Sequence, residues 1–297
     1  MHLTSIAVFV SSFEQFKHDP YVGHPITKLL QQLDLFQSRL PEVKRRLRKD
    51  TALIPPIQPK IVLRAFGGAQ IVINGKEVNR SDWKSSIQRE IIFYLLHHPE
   101  GASKTKLLDL IWGDKKSGAN QLANMLYKMR RFLGEDLVEY RAERYYFNRQ
   151  MDYDYDVERF LLYREQIRQE TDPVMKANLY QQMTQLYQGT FLPEGSWLWI
   201  VPEQERLWQI YLDAALGLGE YYLDKGEYYT CLEICWQVLK HGAQSENIYR
   251  LAMRTAAAMG DRASVDHYYQ LCRQTSRKTS GFDPSQETCT LYQQLMR

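Results

Sequence analysis

The 297-residue sequence predicts a mainly α-helical protein with a small β component, arranged as a mixed segment followed by an all-α segment. Three observations support this fold class. Short alternating apolar runs, three amphipathic helices and a second pair of alternating runs follow one another in the first half of the chain. A 34-residue helical period is present towards the carboxyl end. Three prolines within residues 55–59 separate both segments from the amino-terminal residues.

The amino-terminal residues 1–59 are predicted to form a helical arm and a proline-rich linker. Apolar residues at helical spacing between residues 26 and 40 favour one helix, and a basic run at residues 44–49 follows it. The prolines cannot continue a helix and favour an extended backbone. The basic run is compatible with contacts to phosphates and equally with the solvated charge of a linker.

A small antiparallel sheet is predicted at the start of the second segment, which spans residues 60–150. Apolar runs at residues 61–66 and 69–73 are separated by Gly67-Gly68, a pair that does not open a helix as a phosphate-binding loop would. Asn74-Gly75 then gives the strongest short-range signal for a hairpin. We therefore expect short strands on both sides of this turn.

Three amphipathic helices are predicted after the sheet. The first spans residues 86–98, and the second spans residues 104–112 behind Ser103, which can cap it. The third spans about residues 119–133, with apolar residues at i, i+3, i+4 and i+7. Alternating residues on either side of residues 141–143 predict a closing hairpin. This order of small sheet, three helices and hairpin defines a winged helix-turn-helix domain.

The third segment, residues 151–297, is predicted to be helical from Asp152 onwards and contains an internal repeat. Gly226-Glu227-Tyr228 recurs 34 residues later as Gly260-Asp261-Arg262. A helix–turn–helix period of 34 residues is typical of tetratricopeptide repeats, whose paired helices stack and leave a concave surface. Two units are visible and a third is less clear. We therefore expect an all-α tetratricopeptide-like helical-repeat domain that binds a protein partner.

The charge is distributed unevenly between the segments. Residues 60–150 carry 16 lysines and arginines against 10 acidic residues, whereas residues 151–297 carry 14 against 20. A basic domain beside an acidic one is typical of a chain in which only one domain meets nucleic acid, although many basic domains bind none.

The outer face of the third helix has amide, phenol and cationic side chains and no carboxylate. Amides can bond adenine edges, while arginine and lysine reach guanine or phosphate, so this face is typical of a helix that reads the major groove of double-stranded DNA. An ordinary solvent-exposed face is the alternative, but such faces usually mix both charge signs. The predicted base-reading residues are Asn120, Gln121, Asn124, Tyr127, Lys128 and Arg131. The predicted contacts to the DNA backbone are Lys84, Arg89, Ser103, Lys104, Lys106, Arg130, Arg141 and Arg144.

Sequence motifs for catalysis and for metal binding are weak. There is no Walker lysine loop, no HExxH and no Gly-x-Ser-x-Gly. Cys231 and Cys235 could begin a metal site, but no second pair has finger-like spacing, and buried reduced thiols are the favoured interpretation. The acidic residues 152–156 lack the glycine and the glutamate of a calcium loop, which favours a helix start or a domain junction. We expect no enzyme activity, no cofactor and no metal ion.

The sequence also contains no run of about 18 uninterrupted apolar residues, so no membrane association is expected. The apolar residues 3–10 lack the basic flank and the cleavage site of a signal peptide. We expect a cytoplasmic protein that associates with the nucleoid.

The segment from residue 61 to residue 297 resembles SARP-type bacterial transcriptional activators. Matching strings include Trp83-Lys84-Ser85, Met129-Arg130-Arg131 and, most specifically, Tyr187-Gln188-Gly189-Thr190-Phe191-Leu192-Pro193. The resemblance implies an OmpR-type winged helix followed by a bacterial transcriptional activator domain. It implies an activator that binds repeated DNA sites near promoters, an arrangement compatible with a homodimer, and that contacts RNA polymerase or another regulatory protein.

The sequence departs from the family pattern in the predicted wing. Residues 141–145 read Arg-Ala-Glu-Arg-Tyr, where a glycine-containing turn is frequent in the family. The alternative function is a tetratricopeptide-type interaction scaffold whose winged helix no longer binds DNA.

Overall fold

The computed structural model describes residues 60–79, 82–83, 86–112, 119–133, 136–240 and 245–297. The predicted arm and linker, residues 1–59, lie outside the described residues, as does Lys84. For Asn120 the structure describes the backbone but not the side chain.

The amino-terminal sheet contains the predicted hairpin and one strand that comes from much later in the chain. Its first three strands are β1 (Ile61–Arg64), β2 (Gln70–Ile73) and β3 (Lys76–Glu77), which pair antiparallel. Strand β7 (Tyr153–Tyr155) pairs parallel to β1, so the strand order is β3-β2-β1-β7.

Strand β7 corrects the prediction that the chain is helical from residue 152 onwards. Tyr153 and Tyr155 are buried and Asp154 between them is not, which is the period of two of a strand. Three residues are too few for this period to stand out beside the long helix that follows. The acidic stretch lies where strand β7 ends and the next helix begins, and this confirms the expected helix-start position.

The three predicted helices of the middle segment are present. They are α1 (Ser86–His97), α2 (Lys104–Trp112) and α3 (Ala119–Leu133). A second sheet, of order β4-β6-β5, contains β4 (Ala102–Ser103) and the closing hairpin, β5 (Val138–Arg141) and β6 (Arg144–Phe147).

The hairpin turn explains how the wing forms without a glycine. Its two central residues, Ala142 and Glu143, have φ angles of 46° and 59°. Positive φ at both positions matches the right-handed twist of the flanking strands, although glycine and asparagine adopt it more easily.

The carboxyl-terminal part is all-α in the described residues after β7, as predicted, and its helices pack mainly against their neighbours in sequence. The helices are α4 (Asp156–Gln169), α5 (Pro173–Leu186), α6 (Ile200–Asp224), α7 (Tyr228–Lys240), α8 (Glu246–Ala258), α9 (Arg262–Ser280) and α10 (Gln286–Leu295).

The 34-residue period is confirmed in the backbone. Gly226 and Gly260 have φ angles of 74° and 75° and follow the ends of α6 and α8. After α6, the N–H of Glu227 donates to the carbonyl of Tyr222, 2.9 Å away, and the N–H of Asp261 makes the equivalent bond after α8. The pattern is a Schellman cap, which ends a helix where a residue can adopt the left-handed conformation.

Cys231 and Cys235 lie on the buried face of α7, with fully buried side chains, as free thiols. The Sγ atom of Cys231 is 3.1 Å from the Oγ1 atom of Thr255 on α8. These positions confirm the expected burial of the two thiols. Within the described ranges, no three His, Cys, Asp or Glu side chains come close enough to hold a metal ion.

Candidate nucleic-acid interface

Helix α3 is held against the rest of the middle segment by one apolar face. Leu122, Leu126, Met129 and Leu133 are all buried, and they recur every three or four residues along the helix. Helix α3 packs against α1 and α2 through this face. Because the four side chains fix the rotation of the helix, the opposite face points to solvent.

The solvent face of α3 contains the predicted base-reading residues. All those with described side chains are exposed, and 55% of the Tyr127 surface is accessible. No carboxylate occurs between Ala119 and Leu133. Gln121, Asn124, Lys128 and Arg131 are exposed, so their polar groups are available to a ligand. The structure thus brings five of the six predicted residues together on one helix face: Gln121, Asn124, Tyr127, Lys128 and Arg131.

The first turn of α2 has a side-chain cap and two exposed cations. The Ser103 hydroxyl accepts a hydrogen bond from the Lys106 backbone N–H at 3.1 Å, which is the predicted N-cap. Lys104 and Lys106 are exposed in the first turn, and this turn contains no acidic residue. A helix N-terminus with added positive charge favours an anion such as phosphate.

Two of the predicted phosphate contacts, Arg130 and Arg144, also have structural partners. Arg130 Nε lies 2.8 Å from Asp136 Oδ1, in an ion pair about half exposed on both sides. Arg144 donates through Nε to the Glu100 carbonyl at 3.0 Å and through Nη2 to the Gly101 carbonyl at 2.7 Å. These bonds join the hairpin to the rest of the winged helix.

Arg141 and Arg89 are two further predicted contacts to the DNA backbone, and they differ in how accessible their side chains are. The Arg141 guanidinium lies 4.5 Å from the Tyr146 ring centroid, and the side chain is exposed in the last pair before the turn. Arg89 is half-buried on α1, and its Nε atom has no hydrogen-bond partner among the described residues. Arg141 is therefore the more accessible of the two.

Asp156 links the winged helix to the helical segment. Its carboxylate accepts hydrogen bonds from the backbone N–H groups of Ala65, Phe66 and Val157, at 2.9 to 3.0 Å. Burial raises the pKa of Asp156 to about 6, because removal from water outweighs the N–H bonds and the nearby Arg64 charge, which act in the opposite direction.

The loop after β1 also pairs with the Tyr-Gln-Gly-Thr-Phe-Leu-Pro string. The Leu192 N–H donates to the Ala65 carbonyl at 2.8 Å, and the Gly67 N–H donates to the Thr190 carbonyl at 3.0 Å. The Phe66 ring lies 4.8 Å from the Tyr187 ring, centroid to centroid. The most specific string of the sequence is therefore a structural element of this contact. We call these backbone bonds and those of Asp156 the junction.

A second contact between the two parts is ionic. His97, in the last turn of α1, places Nε2 2.8 Å from Glu203 Oε1 on α6. Burial opposes ionisation of Glu203, but hydrogen bonds from His97 and Arg206 outweigh it and lower the pKa of Glu203. No local sequence pattern indicates this pair, because its partners are separated by more than 100 residues.

Comparisons with known proteins agree with this architecture. Residues 155–296 match the family described as Bacterial transcriptional activator domain. A search of curated proteins found no match. Among solved structures, the chain is similar to Mycobacterium tuberculosis EmbR in complex with a low affinity phosphopeptide, with a TM-score of 0.66 and 14% sequence identity.

The similarity to EmbR covers 81% of this chain and 66% of that chain, so the shared fold extends over the winged helix as well as the helical segment. At 14% identity, the similarity to EmbR shows a shared fold. The family match applies to the helical segment, residues 155–296. On these findings together, residues 155–296 match the bacterial transcriptional activator domain, and the chain shares its fold with EmbR.

Proposed function

We propose that this chain is a SARP-type transcriptional regulator that binds promoter DNA in a sequence-specific manner through the solvent face of α3. The single observation that carries the proposal is the combination on that face of exposed amides and cations with no carboxylate. Amides and cations match the donors and acceptors of the major groove, and a carboxylate would be repelled by phosphates. Lys104, Lys106 and Arg141 are exposed and would contact the DNA backbone.

The helical segment supplies the second half of the proposed function. Transcriptional activation follows when the bound protein recruits RNA polymerase or another regulatory protein through residues 155–296, the matched domain. The protein acts in the cytoplasm, on the nucleoid, as a regulator and not as an enzyme. None of the described helices is long and apolar enough to cross a membrane.

DNA binding can be tested by measuring the affinity of the full chain for the DNA upstream of its own gene. A fluorescence anisotropy titration at several salt concentrations compares wild type with a Lys128→Ala, Arg131→Ala double variant. Each good contact to a base edge contributes about 1–3 kcal/mol, so the double variant should bind at least about 30-fold more weakly. The slope of log K against log salt should also become shallower if phosphate contacts are lost.

The matched control is a Lys225→Ala, Lys278→Ala double variant, which removes the same charge from exposed positions of the helical segment. It should bind DNA within about threefold of wild type. Wild-type affinity and an unchanged salt slope in the Lys128→Ala, Arg131→Ala variant would refute the proposal. That result would favour the scaffold function, in which the winged helix mediates protein contacts only.

A further inference from the structure

Arg130 lies on the side of α3, away from the centre of the face that the predicted base-reading residues share. An α-helix turns by about 100° per residue, so Arg130 is about 40° around the axis from buried Leu126 and about 160° from exposed Lys128. Its side chain is 52% exposed and belongs to the last turn of α3. This position brings Arg130 next to the start of the closing hairpin.

Two atoms of the Arg130 guanidinium hold the wing, which is the hairpin of β5 and β6. The Nε atom lies 2.8 Å from Asp136 Oδ1, and Nη2 donates to the Val138 carbonyl at 3.4 Å. The donors of a guanidinium have a fixed spacing, so two simultaneous bonds restrict rotation as well as distance. Arg130 thus fixes both the position and the direction of β5 at its first residue.

The carboxylate partner of Arg130 belongs to the wing. The Asp136 carbonyl accepts a hydrogen bond from the Asn148 side chain at 3.1 Å, and the Leu137 carbonyl accepts one from the Asn148 backbone N–H at 2.9 Å. These bonds join the residues before β5 to the residue that follows β6, so Asp136 moves with the hairpin. The pair of Arg130 and Asp136 therefore connects α3 to the wing as a unit.

We propose that Arg130 is a positioning residue that fixes the wing relative to α3, so that both contact DNA at the same time. The inference rests on the proposed function, and it gives Arg130 a bond to the wing in place of the phosphate contact that the sequence predicts. Arg141, an exposed cation of the wing, lies three residues beyond Val138 on β5, about 10 Å along the strand. A rotation of β5 at Val138 is carried to Arg141, whose hydrogen bonds to DNA require a donor–acceptor distance of about 2.7–3.2 Å.

A direct phosphate contact by Arg130 predicts different effects of two substitutions. Lysine binds phosphate well as a single charge, so Arg130→Lys would then keep most of the DNA affinity. Asp136→Asn would release Arg130 from its carboxylate and strengthen DNA binding. In the positioning role both substitutions weaken DNA binding, because lysine cannot make the two bonds of the guanidinium and asparagine has no charge to hold it.

The test measures the affinity of the full chain for the DNA upstream of its own gene, by fluorescence anisotropy at about 0.15 M salt, where distant charges are screened. Arg130→Lys and Asp136→Asn should each weaken binding about fivefold, the change that about 1 kcal/mol produces, which is the upper end for a half-exposed ion pair. A double-mutant cycle with Arg141→Ala shows whether Arg130 acts through the wing. In the Arg141→Ala background, Arg130→Lys should have less than about a twofold effect, because the wing contact is already lost.

Hydrogen exchange reports on the wing without DNA. In Arg130→Lys and in Asp136→Asn, the backbone amides of β5 and β6 should exchange severalfold faster than in wild type, while those of the helical segment keep their rates. The matched control is Arg168→Lys, which makes the same change in the exposed pair of Arg168 and Glu165 on α4. It should change neither the exchange of the hairpin nor the DNA affinity.

Wild-type DNA affinity in Arg130→Lys, tighter binding by Asp136→Asn, or an equal effect of Arg130→Lys with and without Arg141 would overturn the inference. Unchanged exchange of the hairpin in both variants would overturn it as well. If wild type and the Lys128→Ala, Arg131→Ala variant bind this DNA equally, the proposed function fails instead, and hydrogen exchange then decides whether Arg130 holds the wing.

Discussion

Replacement of Asp156 by alanine would leave three buried backbone N–H groups without an acceptor, those of Ala65, Phe66 and Val157. Each orphaned donor costs about 1–3 kcal/mol, so Asp156→Ala should reduce the free energy of unfolding by about 3 kcal/mol or more. That loss is a large part of the 5–15 kcal/mol that stabilises a typical domain. Asp156→Asn retains one acceptor oxygen and should cost less.

The pH dependence of stability separates the charge of Asp156 from its hydrogen bonds. Its folded pKa of about 6 lies above the ordinary 3.8, so the folded state binds this proton more tightly than the unfolded state does. Protonation of Asp156 therefore stabilises the folded state. This stabilisation is fully present below pH 3.8 and is lost as the pH rises through about 6. Its full size is about 3 kcal/mol, an order-of-magnitude figure. The difference in stability between wild type and Asp156→Asn should therefore change over this pH window.

Urea unfolding followed by tryptophan fluorescence measures both effects. The control is Asp261→Ala, which removes the exposed carboxylate that caps α9 by accepting from the Ser264 N–H at 3.0 Å. The control should cost less than Asp156→Ala, because it removes one exposed cap contact and not the acceptor of three buried N–H groups. If Asp156→Ala costs no more than Asp261→Ala, the junction does not depend on the Asp156 carboxylate. A wild-type-minus-Asp156→Asn difference that stays flat from pH 4 to pH 7 would contradict the raised pKa.

Three further substitutions test local features. Glu143→Gly should increase the free energy of unfolding by about 0.5 kcal/mol and so raise the melting temperature slightly, since glycine adopts the φ of 59° without strain. A lower melting temperature would contradict the described conformation of the turn. Gly260→Ala should cost about 1 kcal/mol at its φ of 75°, seen as a lower urea midpoint, and an unchanged midpoint would contradict the cap. Arg144→Ala should cost about 2 kcal/mol by losing its bonds to the Glu100 and Gly101 carbonyls, and wild-type stability would show that these bonds do not hold the hairpin.

The sequence predicted the elements whose periodicity extends over many residues. Helices α2 and α3 have the predicted bounds, since nine and fifteen residues give the apolar period enough turns to be recognised. The exposed face of α3 followed from the same period. Strand β7 was missed, because three residues carry little periodic information and a long helix follows directly.

Interactions between distant residues could not be predicted from one sequence. Asp156 bonds backbone groups 90 and 91 residues earlier, and nothing local to the acidic stretch indicates those partners. Likewise, the bonds of Arg144 go to backbone carbonyls, which have no residue type for a sequence pattern to reveal. Both Arg141 and Arg144 lie beside the predicted turn of the wing, so the sequence around them does not distinguish the arginine that stacks on Tyr146 from the one that bonds backbone carbonyls.

The parallel pairing of β1 with β7 affects how the protein folds during synthesis. In sequence, β1 precedes and β7 follows the helices and the closing hairpin of the winged helix. The amino-terminal sheet is therefore completed only after residue 155 has left the ribosome. Until then β1 is an edge strand with unpaired backbone groups on one side, a state open to aggregation. A fragment that stops at residue 150 would keep this open edge permanently, so its solubility should improve when five more residues are included.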